Sequence, residues 1–211
     1  MPGNIYHLYN RGVEKRSIFA DTRDRARLKT LLTYCLPRTT VPSYSIAQRR
    51  QSQKPPVPTP AGTGLVDILC FCLMRNHLHL LVKENFEKGV SRYMQRLANS
   101  YARYFNVRHH RSGPLFSGPF KAVSIEGDDQ FLHVTRYIHL NPYVAGVVKT
   151  PLAYTWSSLS EYIALGAPRI CHTELLASMM TPSEYVAFMN DQADYARELE
   201  DIKHLLIDDE S

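Results

Sequence analysis

The chain has 211 residues, 44% of them hydrophobic, which supports one globular domain with decorations, and it holds no 18-residue apolar run able to form a membrane-spanning helix. The opening stretch "MPGNIYHLYNRG" lacks a charged start followed by an apolar run, so no secretory signal is read and a cytoplasmic location is expected. The net charge of +5 is uneven: residues 183–211 hold nine acids and two bases, a net of −7, which leaves +12 on the first 182 residues and points that body toward a polyanionic partner.

Residues 5–12, "IYHLYNRG", alternate strand-forming side chains and stop at a glycine, which predicts a first strand. Residues 21–36 follow with Asp21 as a helix cap and a stripe of Ala26, Leu28, Leu31, Leu32, Cys35 and Leu36. From Pro37 to Gly64 the periodicity is lost. This segment carries six of the 13 prolines and reads as a loop insertion, with Arg49, Arg50 and Lys54 able to touch a phosphate backbone.

"LVDILCFCL" (65–73) and "HLHLLVK" (77–83) then form a hairpin through "MRN", expected as the two inner strands of a sheet. Cys70 and Cys72 share a face. The four cysteines fit neither a disulfide framework nor a zinc knuckle and read as buried thiols. Residues 89–108 are an amphipathic helix with Val90, Tyr93, Met94, Leu97, Tyr101, Tyr104 and Phe105 on its apolar side. A strand near "FKAVSIE" and a helix over 128–142, ended by Pro142, complete the pattern. The order of elements matches an α+β, ferredoxin-like (RRM-like) βαββαβ fold: a four-stranded antiparallel sheet, helices on one face and the other face open. Residues after 142 add helical or irregular material.

His77 and His79 are two apart on a strand, so both side chains point the same way and can hold one metal ion. The same pattern also occurs as two ordinary core or surface histidines. Residues 88–121 contain Lys88, Arg92, Arg96, Arg103, Arg108, Arg111 and Lys121 with no acid, interleaved with aromatics, as a single-strand binding surface would require. Many of those aromatics equally serve the helix core. His133, Tyr137 and Asn141 are spaced by four on one side of the last helix. A tyrosine hydroxyl becomes a useful nucleophile when a metal polarises its target, and Asn141 can offer that metal a neutral oxygen. Core packing for Tyr137 and a turn role for Asn141 are the plain alternatives.

The segments "YHLYNRG", "FCLMRNHLHLLV", "GPLFSGPFKAVSIE", "RYIHLNPYVAGVV" and "YTWSSLSEY" occur in an order that resembles the REP-associated tyrosine transposases, within the single-tyrosine HUH transposases, over roughly residues 5–165. The family usually has proline where this chain has Arg75, and the 37–64 loop is longer than the family needs. The resemblance implies an HUH domain over 1–150 containing that insertion, and an extension with an acidic tail over 151–211. It implies an enzyme that nicks and rejoins single-stranded DNA, with palindromic repeat hairpins as targets. In this role Tyr137 attacks the scissile phosphate and forms a 5′-phosphotyrosine link. His77, His79 and Asn141 bind Mg²⁺ or Mn²⁺, and two imidazoles suggest that Mn²⁺ binds at least as well. Asn10, Arg11, Arg75, Arg92, Arg96, Arg103, Arg108, Arg111 and Lys121 are the candidate DNA contacts. The site of action would be the nucleoid, with the protein a monomer or homodimer. Two other activities suit the same residues: a hairpin binder that does not cut, and a metal-dependent phosphodiesterase that uses water.

Overall fold

The computed structural model describes residues 2–39, 42, 44–49, 60–163 and 169–191. Strand β1 (Ile5–Arg11) leads to helix α1 (Thr22–Tyr34), where Asp21 caps the helix by accepting from the Asp24 N–H. A short helix α2 (Tyr44–Arg49) lies inside the segment expected to be loop. Arg50 and Lys54 lie outside the described residues, as does the side chain of Arg49. The hairpin β2 (Val66–Met74) and β3 (His77–Glu84), helix α3 (Gly89–Arg108), strand β4 (Lys121–Ile125) and helix α4 (Asp128–Val144) follow. Short helices α5 (Leu159–Ile163) and α6 (Glu174–Ala177) precede a helical run at 182–191.

The four strands form an antiparallel sheet in the order β2-β3-β1-β4. β3 and β1 are therefore the inner strands, and β2 is an edge rather than the second inner strand expected. That edge is nonetheless fully buried, because the returning chain covers it. Leu73 N–H donates to Trp156 O, Ser158 N–H to Phe71 O, and His172 N–H to Ile68 O.

Alternation along the strands divides the interior into two cores. Leu8, Leu78, Leu80 and Val82 point toward α1 and α3, where they meet Leu28, Leu31, Leu32, Tyr93, Leu97 and Tyr101. Leu81, Cys70, Cys72 and Met74 point the other way, toward Phe131, Ile138 and Leu140 of α4 and Tyr162 and Tyr185 beyond it. A bulge between Ile68 and Cys70 places Leu69 and Cys70 together in this second core. All four cysteines are free and buried. The second face of the sheet is thus not open, as the sequence pattern suggested: α4 and residues 154–163 and 169–189 cover much of it.

α4 also runs past Pro142, which sits in its last turn. The stop comes at Gly146, whose φ of 65° is left-handed. Gly146 N–H donates to Tyr143 O and Val147 N–H to Pro142 O, the paired bonds of a glycine C-terminal cap. The helix therefore runs two residues beyond its proline, and Asn141 remains helical. Among the described residues no helix is long and apolar enough to cross a membrane.

Candidate active site

β1 and β3 pair so that Tyr9 lies opposite His79 and Arg11 opposite His77. Odd-numbered residues of β1 therefore share the face that carries both histidines. His7 is diagonal to His79, with Nε2 of His7 3.0 Å from Nδ1 of His79 and the two rings stacked 5.2 Å apart. The His77 and His79 rings meet edge to face with centroids 4.8 Å apart.

α4 crosses this face and delivers Tyr137. Its ring stands edge-on to His79 at 5.6 Å and to His7 at 6.2 Å. Tyr137 is 53% exposed although its neighbours Arg136, Ile138 and His139 are buried, so the ring lies between the histidines and solvent. Asn141, one turn on, hydrogen-bonds His77. Helical spacing of four and strand spacing of two thus bring His77, His79, Tyr137 and Asn141 to one place in a single chain.

Burial governs the charge of the imidazoles. It holds His7 down to about 4. His77 is lowered first by burial and then by the Arg11 cation, against which its Asn141 hydrogen bond acts. His79 is well below its ordinary value through burial, then through His77 and His7. All three therefore stand as neutral imidazoles at pH 7, which leaves each a lone pair to offer.

The donor set fits a divalent ion. Nε2 of His79 is buried and has no hydrogen-bond partner, so a polar atom with coordinating capacity is left open beside His77 and Asn141. Among the described residues no group of three or more His, Cys, Asp or Glu side chains is arranged to hold a metal. Any such ion would therefore depend on the asparagine as well as the imidazoles.

The candidate DNA contacts divide by face. Arg11 is exposed on the histidine face, Lys121 reaches to 5.9 Å above the Tyr9 ring, and Arg75 is exposed in the β2–β3 turn. Asn10 points the opposite way and is buried. Its amide donates to Gly118 O and its carbonyl accepts the Arg11 N–H, so it secures the chain before β4 instead of facing the histidines. The α3 arginines lie on the α1 side of the sheet and several hold their own chain. Arg92 donates to Arg38 O and Arg96 to Pro37 O, and just beyond α3 Arg111 donates to Asn106 Oδ1. Arg108 pairs with Asp21 and with the fully buried Asp24. The fold does not bring Arg92, Arg96, Arg103, Arg108 or Arg111 to the histidines.

Three site residues went unread in the sequence: His7, Tyr9 and Asn76. The i, i+2 spacing of "HLYNR" places His7, Tyr9 and Arg11 on one face, yet only the β1–β3 register shows that this is the face of His77 and His79.

Residues 61–141 match the family model described as "Transposase IS200 like", a span that contains His77, His79, Tyr137 and Asn141. No curated protein sequence matches the chain. Among solved structures, a REP-associated tyrosine transposase bound to a REP hairpin superimposes with a TM-score of 0.53 at 16% identity, covering 81% of this chain and 85% of that chain. At that identity the likeness speaks for the fold, a four-stranded antiparallel sheet flanked by helices. Over residues 61–141 the chain thus resembles the IS200-like transposases, and it shares the fold of a REP-associated tyrosine transposase.

Proposed function

We propose that the protein is a single-stranded DNA endonuclease and strand transferase that acts on palindromic repeat hairpins through Tyr137. The observation that carries this reading is the meeting of the exposed Tyr137 ring with His79, whose buried Nε2 has no partner. The Tyr137 oxygen attacks the scissile phosphorus and loses its proton. The new O–P bond replaces the P–O3′ bond, and the departing 3′ oxygen takes up a proton to become a free hydroxyl. The phosphate stays as a 5′-phosphotyrosine, so a 3′-hydroxyl can reverse the step and join strands without external energy.

His77, His79 and Asn141 would hold Mg²⁺ or Mn²⁺, which supplies charge stabilisation at the phosphate oxygens. Arg11, Lys121 and Arg75 are the cations best placed to hold the flanking backbone. The structure that superimposes on this chain is bound to a REP hairpin, which supports a hairpin as the substrate class. Because one chain supplies all four residues, a monomer suffices for the site. We assign residues 1–150 as the cutting unit and 151–211 as its extension, acting on the nucleoid in the cytoplasm.

The test is incubation with end-labelled hairpin DNA and Mn²⁺, followed by a denaturing gel. A covalent protein–DNA adduct that disappears in Tyr137→Phe, with binding retained, is expected. Cleavage that survives in Tyr137→Phe would identify water as the nucleophile, and wild-type binding without cleavage would leave a hairpin-binding protein only.

A further inference from the structure

Both histidines have their Nδ1 atoms engaged. Nδ1 of His77 lies 2.7 Å from Oδ1 of Asn76. The amide of Asn76 cannot be turned round, because its Nδ2 donates to Lys15 O at 3.1 Å, and a carbonyl only accepts. Asn76 must therefore present its oxygen to His77, and His77 must carry its proton on Nδ1. That carbonyl is aimed by an unusual turn. Glu14 and Lys15 are consecutive non-glycine residues in the left-handed region, with φ of 53° and 56°. Gly12 N–H donates to Asn76 O, and Ile18 N–H to Arg75 O, which tie the turn to the β2–β3 hairpin.

For His79 the partner is Nε2 of His7. Two assignments satisfy that contact. If His7 donated, the proton of His79 would lie on its Nε2, as a buried N–H with nothing to receive it. Orphaned buried N–H groups are rarer in folded proteins than under-used acceptors. If His79 donates from Nδ1, its Nε2 holds a lone pair directed into the site.

We propose that His7 and Asn76 are positioning residues that lock His79 and His77 as the Nδ1–H tautomer, so that both Nε2 atoms face the site as ready metal donors. This rests on the reading of His77 and His79 as metal ligands. The hydrogen bond that an outer residue makes to one ring nitrogen fixes which nitrogen is free to coordinate. The ion then meets a pair already oriented, and no proton has to be moved first.

The tautomers can be read in the metal-free protein. Long-range proton–nitrogen correlation spectra of ¹⁵N-histidine protein at neutral pH distinguish a protonated from an unprotonated ring nitrogen. Protonated Nδ1 and bare Nε2 are expected at both His77 and His79, and a protonated Nε2 at either residue in the wild type overturns the lock. His7→Phe removes the acceptor and His7→Gln replaces it with an amide oxygen. His7→Phe is expected to lose the Nδ1–H tautomer at His79 and to weaken Mn²⁺ binding, measured by titration calorimetry, about 10–100-fold. His7→Gln is expected to retain both. A folded His7→Phe with an unchanged tautomer and unchanged affinity removes the positioning role. Wild-type protein that shows the expected tautomers yet binds no Mn²⁺ upholds the lock and overturns the metal reading, so the two can fail separately.

Discussion

Nδ1 of His139 lies 2.7 Å from the hydroxyl of Tyr185, inside the protein, and joins α4 to the helical run at 182–191. The other ring nitrogen meets Ser158 Oγ at 2.8 Å and Cys70 Sγ at 3.2 Å. His139 is 0% exposed, and burial holds its imidazole down to about 3, so it serves this network as a neutral ring. Two residues from Tyr137, it fastens α4 both to strand β2 and to the C-terminal segment.

His139→Leu is expected to lower stability by roughly 2–4 kcal/mol, since it leaves Tyr185 and Ser158 short of a buried partner. Urea unfolding followed by circular dichroism measures this. Formation of the DNA adduct should fall with it, because α4 loses the bond that sets its rotation over the sheet.

Arg108 and Arg11 should separate structure from DNA binding. Arg108→Ala is expected to lower the urea midpoint, because buried Asp24 loses an ion-pair partner and keeps only its neighbours such as His109. Arg11→Ala and Lys121→Ala should leave the midpoint nearly unchanged and weaken hairpin binding. Each should also reduce the slope of log affinity against log salt by about one. Fluorescence anisotropy over a range of salt concentrations checks both.

Gly12→Ala is expected to cost about 1–3 kcal/mol. A Cβ there would collide with the carbonyl of Arg16 and crowd Ile18, and a backbone atom cannot swing aside as a side-chain tip can. The same change disturbs the turn that presents Lys15 O to Asn76. Mn²⁺ affinity should therefore drop together with the thermal midpoint.

The cysteines should be silent in the native state. Burial pushes the Cys35 thiol up to about 12 and raises Cys70, Cys72 and Cys171 as well. A thiol reagent such as Ellman's should find four thiols only after denaturation. Above pH 9 the unfolded thiols ionise while native Cys35 keeps its proton until about 12. Stability is thus intact below the unfolded value and falls as pH rises through that window, by about 1.4 kcal/mol per unit of difference for a single thiol. Chemical denaturation between pH 8 and about 11 checks this slope.

The sequence by itself determined most of the elements and the local pairing of the candidate site residues. Apolar spacing marked α3, alternation marked β1 and β3, and Asp21 marked the start of α1, because these signals are local and each element repeats its own period. The i, i+2 and i, i+4 spacings also set His77 beside His79 and Tyr137 beside Asn141. Tertiary structure decided what local patterns do not encode. Strand order made β2 a covered edge. The packing of α4 and of the chain beyond it covered much of the face expected to be open. A glycine cap at Gly146 rather than Pro142 ended the helix. The register of β1 against β3 placed His7 on His79 and turned Asn10 away from the site, and the turn at Glu14 and Lys15 reached across to Asn76. Those contacts join residues about 60–70 positions apart, so their geometry exists only once the sheet has formed.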